Sequence, residues 1–219
     1  MCFSAQADAI TGVFVTGIGI DVCRNVGGRR DHLLLASIPL LLGAHQLIEV
    51  FVWWGLQGHV PWSVGRFAMW LYLIIAFVVL PILVPLAVLA VEPTSERRRR
   101  MVPFVTLGVI VSVLLAWGLT RGPVNVTMER WHLAYKADLS HGIATTGLYI
   151  VAICGALLFS GFRHIAVWGL GNLVVVVILA ALTIGGFASL WCAYAAVSAG
   201  AIAVHTRYAA ATGRSPLLA

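Results

Sequence analysis

The sequence predicts an all-α integral membrane protein, a single domain over residues 1–219 in which seven transmembrane helices form a bundle, N-terminus outside and C-terminus in the cytoplasm. Three observations predict it. Of the 219 residues 61% are hydrophobic and only 10% charged, where soluble domains carry about 25% charged residues. The apolar residues fall in long unbroken runs, and a helix needs about 20 such residues to cross a bilayer core. The basic residues gather in alternate connections between those runs, the bias that orients membrane proteins. In lipid the backbone must satisfy its own hydrogen bonds, so spans are helices or closed barrels. Barrel strands read as segments of about 10 residues with alternating polarity, and these runs do not alternate.

The first run extends from Ala5 to Cys23, with Ser4 as its cap and Asp8 in its first turn, where the helix dipole favours an acid. Arg24, Gly27, Gly28, Arg29 and Arg30 interrupt it. The second span runs from Leu33 to Leu56 and the third from Val64 to Val91, with Ser63 as cap and kinks at Pro81 and Pro85. A charged turn, Glu92 to Arg100, leads into the fourth span, Met101 to Leu119. Residues 120–138 are too polar to span and form an outer loop. The fifth span is Leu139 to Ser160, the sixth Ile165 to Ile184 and the seventh Phe187 to His205, before a cytoplasmic tail at 207–219. The many Ala, Gly and Ser residues of the seventh let neighbours approach closely, which places it centrally.

Orientation follows from counting basic residues. Arg24, Arg29, Arg30, Arg97, Arg98, Arg99, Arg100, Arg163, Arg207 and Arg214 fall on one side, ten in all, against Arg66, Arg121, Arg130 and Lys136 on the other. The ten mark the cytoplasm of a cell-membrane protein. Trp53, Trp54, Trp62, Trp131 and Trp191 then all lie near the outer boundary, as an interfacial belt would. The net charge of +6 therefore reads as topology. No nucleic-acid partner is expected; the expected partners are membrane lipids, with a homo-oligomer or a larger membrane complex left open. No retinal is expected either, because the only lysine, Lys136, lies in a loop and a Schiff base needs one in the last span.

The sharpest single residue is Glu49, which lies ~12 Å inside the outer end of the second span at 1.5 Å per residue. A carboxylate at that depth faces the protein interior and needs a partner. His45 and Gln46 precede it by four and three residues and share its face. In the outer loop and the start of the fifth span lie His132, Tyr135, Asp138 and His141; Asp138 and His141 are three apart, a spacing that suits a divalent ion or, equally, a helix cap. Cys23 and Cys154 read as packing residues. Cys2 and Cys192 both sit toward the oxidising side, where they could form a disulfide, ligate a metal, or be unrelated.

The opening Met1-Cys2-Phe3-Ser4-Ala5 resembles that of a functionally uncharacterised family of bacterial and archaeal multi-pass membrane proteins. The similarity extends to Gln46-Leu47-Ile48-Glu49 with Trp53, to His132 followed by Tyr135, and to Trp191-Cys192. It implies no activity, but it sharpens the site. Members often carry glutamine at the place of His45, which makes His45 a supporting residue. Cys2, Glu49, His132 and Cys192 all reach the outer third of the bundle, and thiolate, imidazole and carboxylate are the ligands of zinc and related divalent metals. His45, Gln46, Tyr135, Asp138, His141 and Trp191 would surround them. Four functions remain open: a metal-binding protein or sensor, a metal-dependent membrane hydrolase, a non-enzymatic subunit stapled by a Cys2–Cys192 disulfide, and a transporter or proton path through Glu49. Membrane hydrolases resembling alkaline ceramidases also combine seven helices with zinc, but their several intramembrane histidines have no match here. The proton path is disfavoured because Asn172 stands nearly alone as a polar residue in the inner half.

Overall fold

The computed structural model describes residues 4–26, 30–129, 132–137 and 142–182, together with Ala199. The chain is mostly helical: α1 (Ala5–Asn25), α2 (Arg30–Gln57), α3 (Trp62–Ile74), a π-helical segment (Ile75–Val79), α4 (Leu80–Val91), α5 (Ser95–Arg121), α6 (Gly142–Leu158) and α7 (Arg163–Leu182). Among the described residues, four helices are long and apolar enough to cross a membrane: Ala5–Asn25, His32–Gln57, Trp62–Val91 and Ser95–Arg121. Two shorter apolar stretches follow, Ala144–Leu158 and Arg163–Ile178. The seventh predicted span, Phe187 to His205, and the tail at 207–219 lie outside the described residues apart from Ala199. Outward faces are apolar, with Ile10, Phe14, Phe67, Val113, Trp117 and Val167 all exposed, as a lipid-facing surface requires.

Small residues set how closely these helices approach. A Cβ on Gly12 would lie 2.9 Å from the Leu47 side chain, one on Gly19 2.5 Å from Leu40 Cα, and one on Gly43 2.5 Å from Thr16 N. The paired numbers run in opposite directions, so α1 lies antiparallel on α2 with backbones nearly touching, the packing that small residues permit where no hydrophobic force draws helices together. Gly55 and Gly65 do the same for the return of α3 against α2, after a turn in which Gly58 takes φ 78°. The α3 helix begins two residues earlier than a Ser63 cap would give, at Trp62 after Pro61.

Two features depart from the sequence reading. The stretch from Trp62 to Val91 is continuous, as a single span requires, but a π-helical segment, Ile75–Val79, interrupts its α-helix shortly before Pro81, while Pro85 lies inside α4. The polar segment between α5 and α6 is not irregular over its described residues. Val124–Met128 and Leu133–Ala137 pair as an antiparallel hairpin, β1 and β2, so the all-α expectation needs correction by one two-stranded sheet. Alternation explains it: Val126 and Tyr135 are cross-strand partners on the inward face with Leu133, while Asn125, Thr127 and Lys136 are exposed.

Candidate functional site

The polar site lies at the end of the bundle formed by the start of α1, the end of α2, the start of α3 and the hairpin. On α2, His45, Gln46, Glu49 and Trp53 follow one another at helical spacing along a single face, and all four are buried. Glu49 is completely buried. The Tyr135 hydroxyl donates to its Oε1 at 3.3 Å. Tyr135 stacks on Tyr72 with centroids 4.8 Å apart, and Tyr72 stacks on His45 at 3.8 Å. The His45 Nε2 bonds the Tyr72 carbonyl at 3.0 Å; a carbonyl only accepts, so Nε2 carries the proton. One ladder of rings thus joins α2, α3 and β2 and ends on a carboxylate.

A second fully buried acid, Asp8, enters from α1. Ser4 caps that helix by accepting from Ala7 N at 3.2 Å, as expected. The close α1–α2 seam then carries Asp8 to Trp53, whose indole N–H donates to its Oδ2 at 3.0 Å. Trp53 is buried, so it belongs to this site and not to an interfacial belt; Trp62, by contrast, is exposed. Asp8, Trp53 as a donor, and Tyr72 are site residues that sequence reasoning missed. The available signal for Asp8 was the one used for Glu49, an acid inside an apolar run.

Of the four expected metal ligands, Glu49 and His132 are described, and Cys2 and Cys192 lie outside the described residues, as do Asp138, His141 and Trp191. His132 is half-buried at the turn of the hairpin, where its carbonyl accepts from Glu129 N at 2.9 Å. From its segment, the side chain recorded on Glu49 is that of Tyr135. Among the described residues no group of three or more His, Cys, Asp or Glu side chains is arranged to hold a metal. Cys154 is buried, and Cys23 donates weakly from Sγ to the Ala36 carbonyl at 3.3 Å; both serve packing.

The opposite end is more polar than expected. His32 and Glu92 are buried there. Glu92, read from sequence as the start of a charged turn, accepts from Ser160 Oγ at 2.8 Å and from Gly161 N at 2.7 Å through Oε1. It ties the α4–α5 junction to the α6–α7 connection.

Fold and site together define a helical protein with membrane-length apolar helices and a buried acidic and aromatic cluster at one end. The family model of a family of unknown function, DUF6629, matches residues 1–216, and the chain belongs to that family. No curated protein and no solved structure matches the chain.

Proposed function

We propose that the protein is a seven-helix component of the cell membrane, N-terminus outside and C-terminus in the cytoplasm, whose outer end carries a polar site centred on Glu49 that binds a divalent cation of the zinc class. The observation that carries this reading is a carboxylate with no exposure on an apolar helix, met by a hydroxyl from an otherwise separate hairpin. Intramembrane acids are expensive and mark functional sites by default. Glu49 would be the anchoring ligand, with His132 and the two thiols Cys2 and Cys192 completing the set. His45, with Nε2 committed to a backbone carbonyl, would orient its neighbours, together with Gln46 and Tyr135. Orientation rests on charge: exposed Arg24, Arg97 to Arg100 and Arg163 lie at the end opposite Glu49. A reporter fused after Ala219 should behave as cytoplasmic; a reporter found outside would reverse the site's location.

The test is elemental analysis of protein purified without chelator, wild type beside Glu49→Gln. Stoichiometric zinc or a similar metal in the wild type and its loss in the variant is the expected result. A folded wild type without bound metal after incubation with zinc would overturn the reading. A second reading, in which Asp8 and Glu49 are structural, is favoured by the aromatic donor that each already has in Trp53 and Tyr135. It predicts no metal and a Glu49→Gln protein of ordinary behaviour.

A further inference from the structure

The strongest unassigned charge lies at the end away from Glu49. Arg97, Arg98, Arg99 and Arg100 occupy the first turns of α5, all exposed, and the next residue, Met101, is already buried. The arginines therefore stand where the apolar helix begins. They are not equivalent. Arg98 Nε donates to the Glu92 carbonyl at 2.8 Å, and Arg100 pairs with Glu96. The side chains of Arg97 and Arg99 make no hydrogen bond or ion pair with any described residue, and neither does that of Arg163. Arg163 is exposed at the start of α7. It belongs to the same patch because Glu92 holds Ser160 and Gly161 against the α4–α5 junction. The guanidinium of Arg97 lies directly on Gly161, in space that any side chain at 161 would fill.

We propose that Arg97, Arg99 and Arg163 form a headgroup site for an anionic phospholipid, the acyl chains lying along the apolar surface of α5. Two properties select this partner. Cationic groups at the edge of an apolar helix meet lipid phosphates at their own depth, and clustered arginines cytoplasmic to a span attract anionic headgroups. Guanidinium also pairs with phosphate through two parallel hydrogen bonds, where a lysine supplies a point charge. The apolar residues that follow the arginines, Val102, Val109 and Val113, are exposed, so a bound lipid would find tail contacts below its headgroup. This inference rests on the membrane orientation proposed above but not on the Glu49 site.

The test is lipid retention by the full-length protein, read by native mass spectrometry after equilibration with mixed phosphatidylglycerol and phosphatidylcholine bilayers. The wild type should retain phosphatidylglycerol preferentially. Each arginine contributes about a fivefold preference, so Arg97→Ala, Arg99→Ala and Arg163→Ala combined should reduce it about a hundredfold. The three corresponding lysine substitutions keep the charge but lose the two-bond pairing, so they should fall between the wild type and the triple alanine variant, and millimolar inorganic phosphate should leave the preference unchanged. Equal retention of the two lipids by the wild type would overturn the proposal without recourse to any variant. A triple alanine variant as selective as the wild type, or displacement of lipid by inorganic phosphate, would also overturn it.

Discussion

Removing the Tyr135 hydroxyl isolates the link between the hairpin and the buried acid. Tyr135→Phe deletes the donor to Glu49 and keeps the ring that stacks on Tyr72 with centroids 4.8 Å apart. The O···O distance of 3.3 Å is long for such a bond, so the loss should be near the low end of the ~1–3 kcal/mol that follows from leaving a buried acceptor short of a donor. Interhelical polar pairs in membranes average ~0.6 kcal/mol and reach ~1.7 kcal/mol. An effect of ~1 kcal/mol is therefore expected, measured by denaturant unfolding of purified protein in mixed micelles. Tyr135→Ala removes the stack as well and should lose at least a further ~0.5–1.5 kcal/mol for the ring pairing, plus the burial of the ring. Because Glu49→Ala removes the acceptor altogether, the double variant Tyr135→Phe/Glu49→Ala should show a coupling energy of ~0.5–1 kcal/mol. Strictly additive effects, or a Tyr135→Ala variant no less stable than Tyr135→Phe, would refute this account of the ladder.

Glycine substitutions should sort by what their new Cβ meets. Gly108→Ala drives a methyl into the Pro81 carbonyl, and Gly43→Ala places one 2.5 Å from Thr16 N, so each should lose ~1–3 kcal/mol in the same unfolding assay; Gly17→Ala and Gly147→Ala, with nothing within 4 Å, should stay within ~0.5 kcal/mol of wild type. At the end opposite Glu49, Glu92→Ala leaves Ser160 Oγ and the Gly161 N–H without the carboxylate that accepts from them and should lose ~1–3 kcal/mol or more, whereas Glu92→Gln keeps an oxygen for them and should lose less. Equal destabilisation by the two Glu92 variants, measured by thermal unfolding, would show that the carboxyl is not the latch.

What could be read in advance was what depends on local physics. Apolar runs became α1, α2, α5 and the composite stretch Trp62–Val91 with ends shifted by a few residues. Glu49 was placed in the interior by the energy of exposing a carboxylate to lipid, and it is fully buried. What escaped depends on register between distant segments. Asp8 meets Trp53 only because Gly12, Thr16 and Gly19 fix how α1 lies along Leu40, Gly43 and Leu47 of α2. Trp53 near a span end reads equally well as an interfacial anchor, and only the neighbouring helix decides. Tyr72 carries no polar signal of its own within the third span; its role needs His45 on one side and Tyr135 on the other. Glu92 sits beside four arginines in sequence, which suggests a charged turn. Its burial arises from Ser160 and Gly161, nearly seventy positions later.

The π-helical segment connects these observations. Pro81 has no N–H, so an unbroken α-helix would leave the carbonyl four residues earlier without its donor. The chain widens instead: Leu80 N bonds Ile75 O, five residues back. Neighbouring helices bind the carbonyls of the widened turn. Tyr149 of α6 donates to the Ala76 carbonyl at 2.9 Å, and Ser112 of α5 donates to the Val78 carbonyl at 2.8 Å. The irregular turn is thus where α5 and α6 are pinned to the third span. One extra residue also advances the helical phase by about 100°. Before it, Met69, Tyr72 and Leu73 pack with Val50, Val52 and Trp53 around the polar end. After it, Leu80, Val84 and Val88 pack with Leu35, Ile38 and Leu42 in the other half of the bundle. The irregular turn, set just before a proline, thus divides the third span into a half that carries Tyr72 to His45 and Tyr135 and a half that packs the rest of the bundle, and its freed carbonyls hold α5 and α6 at that division.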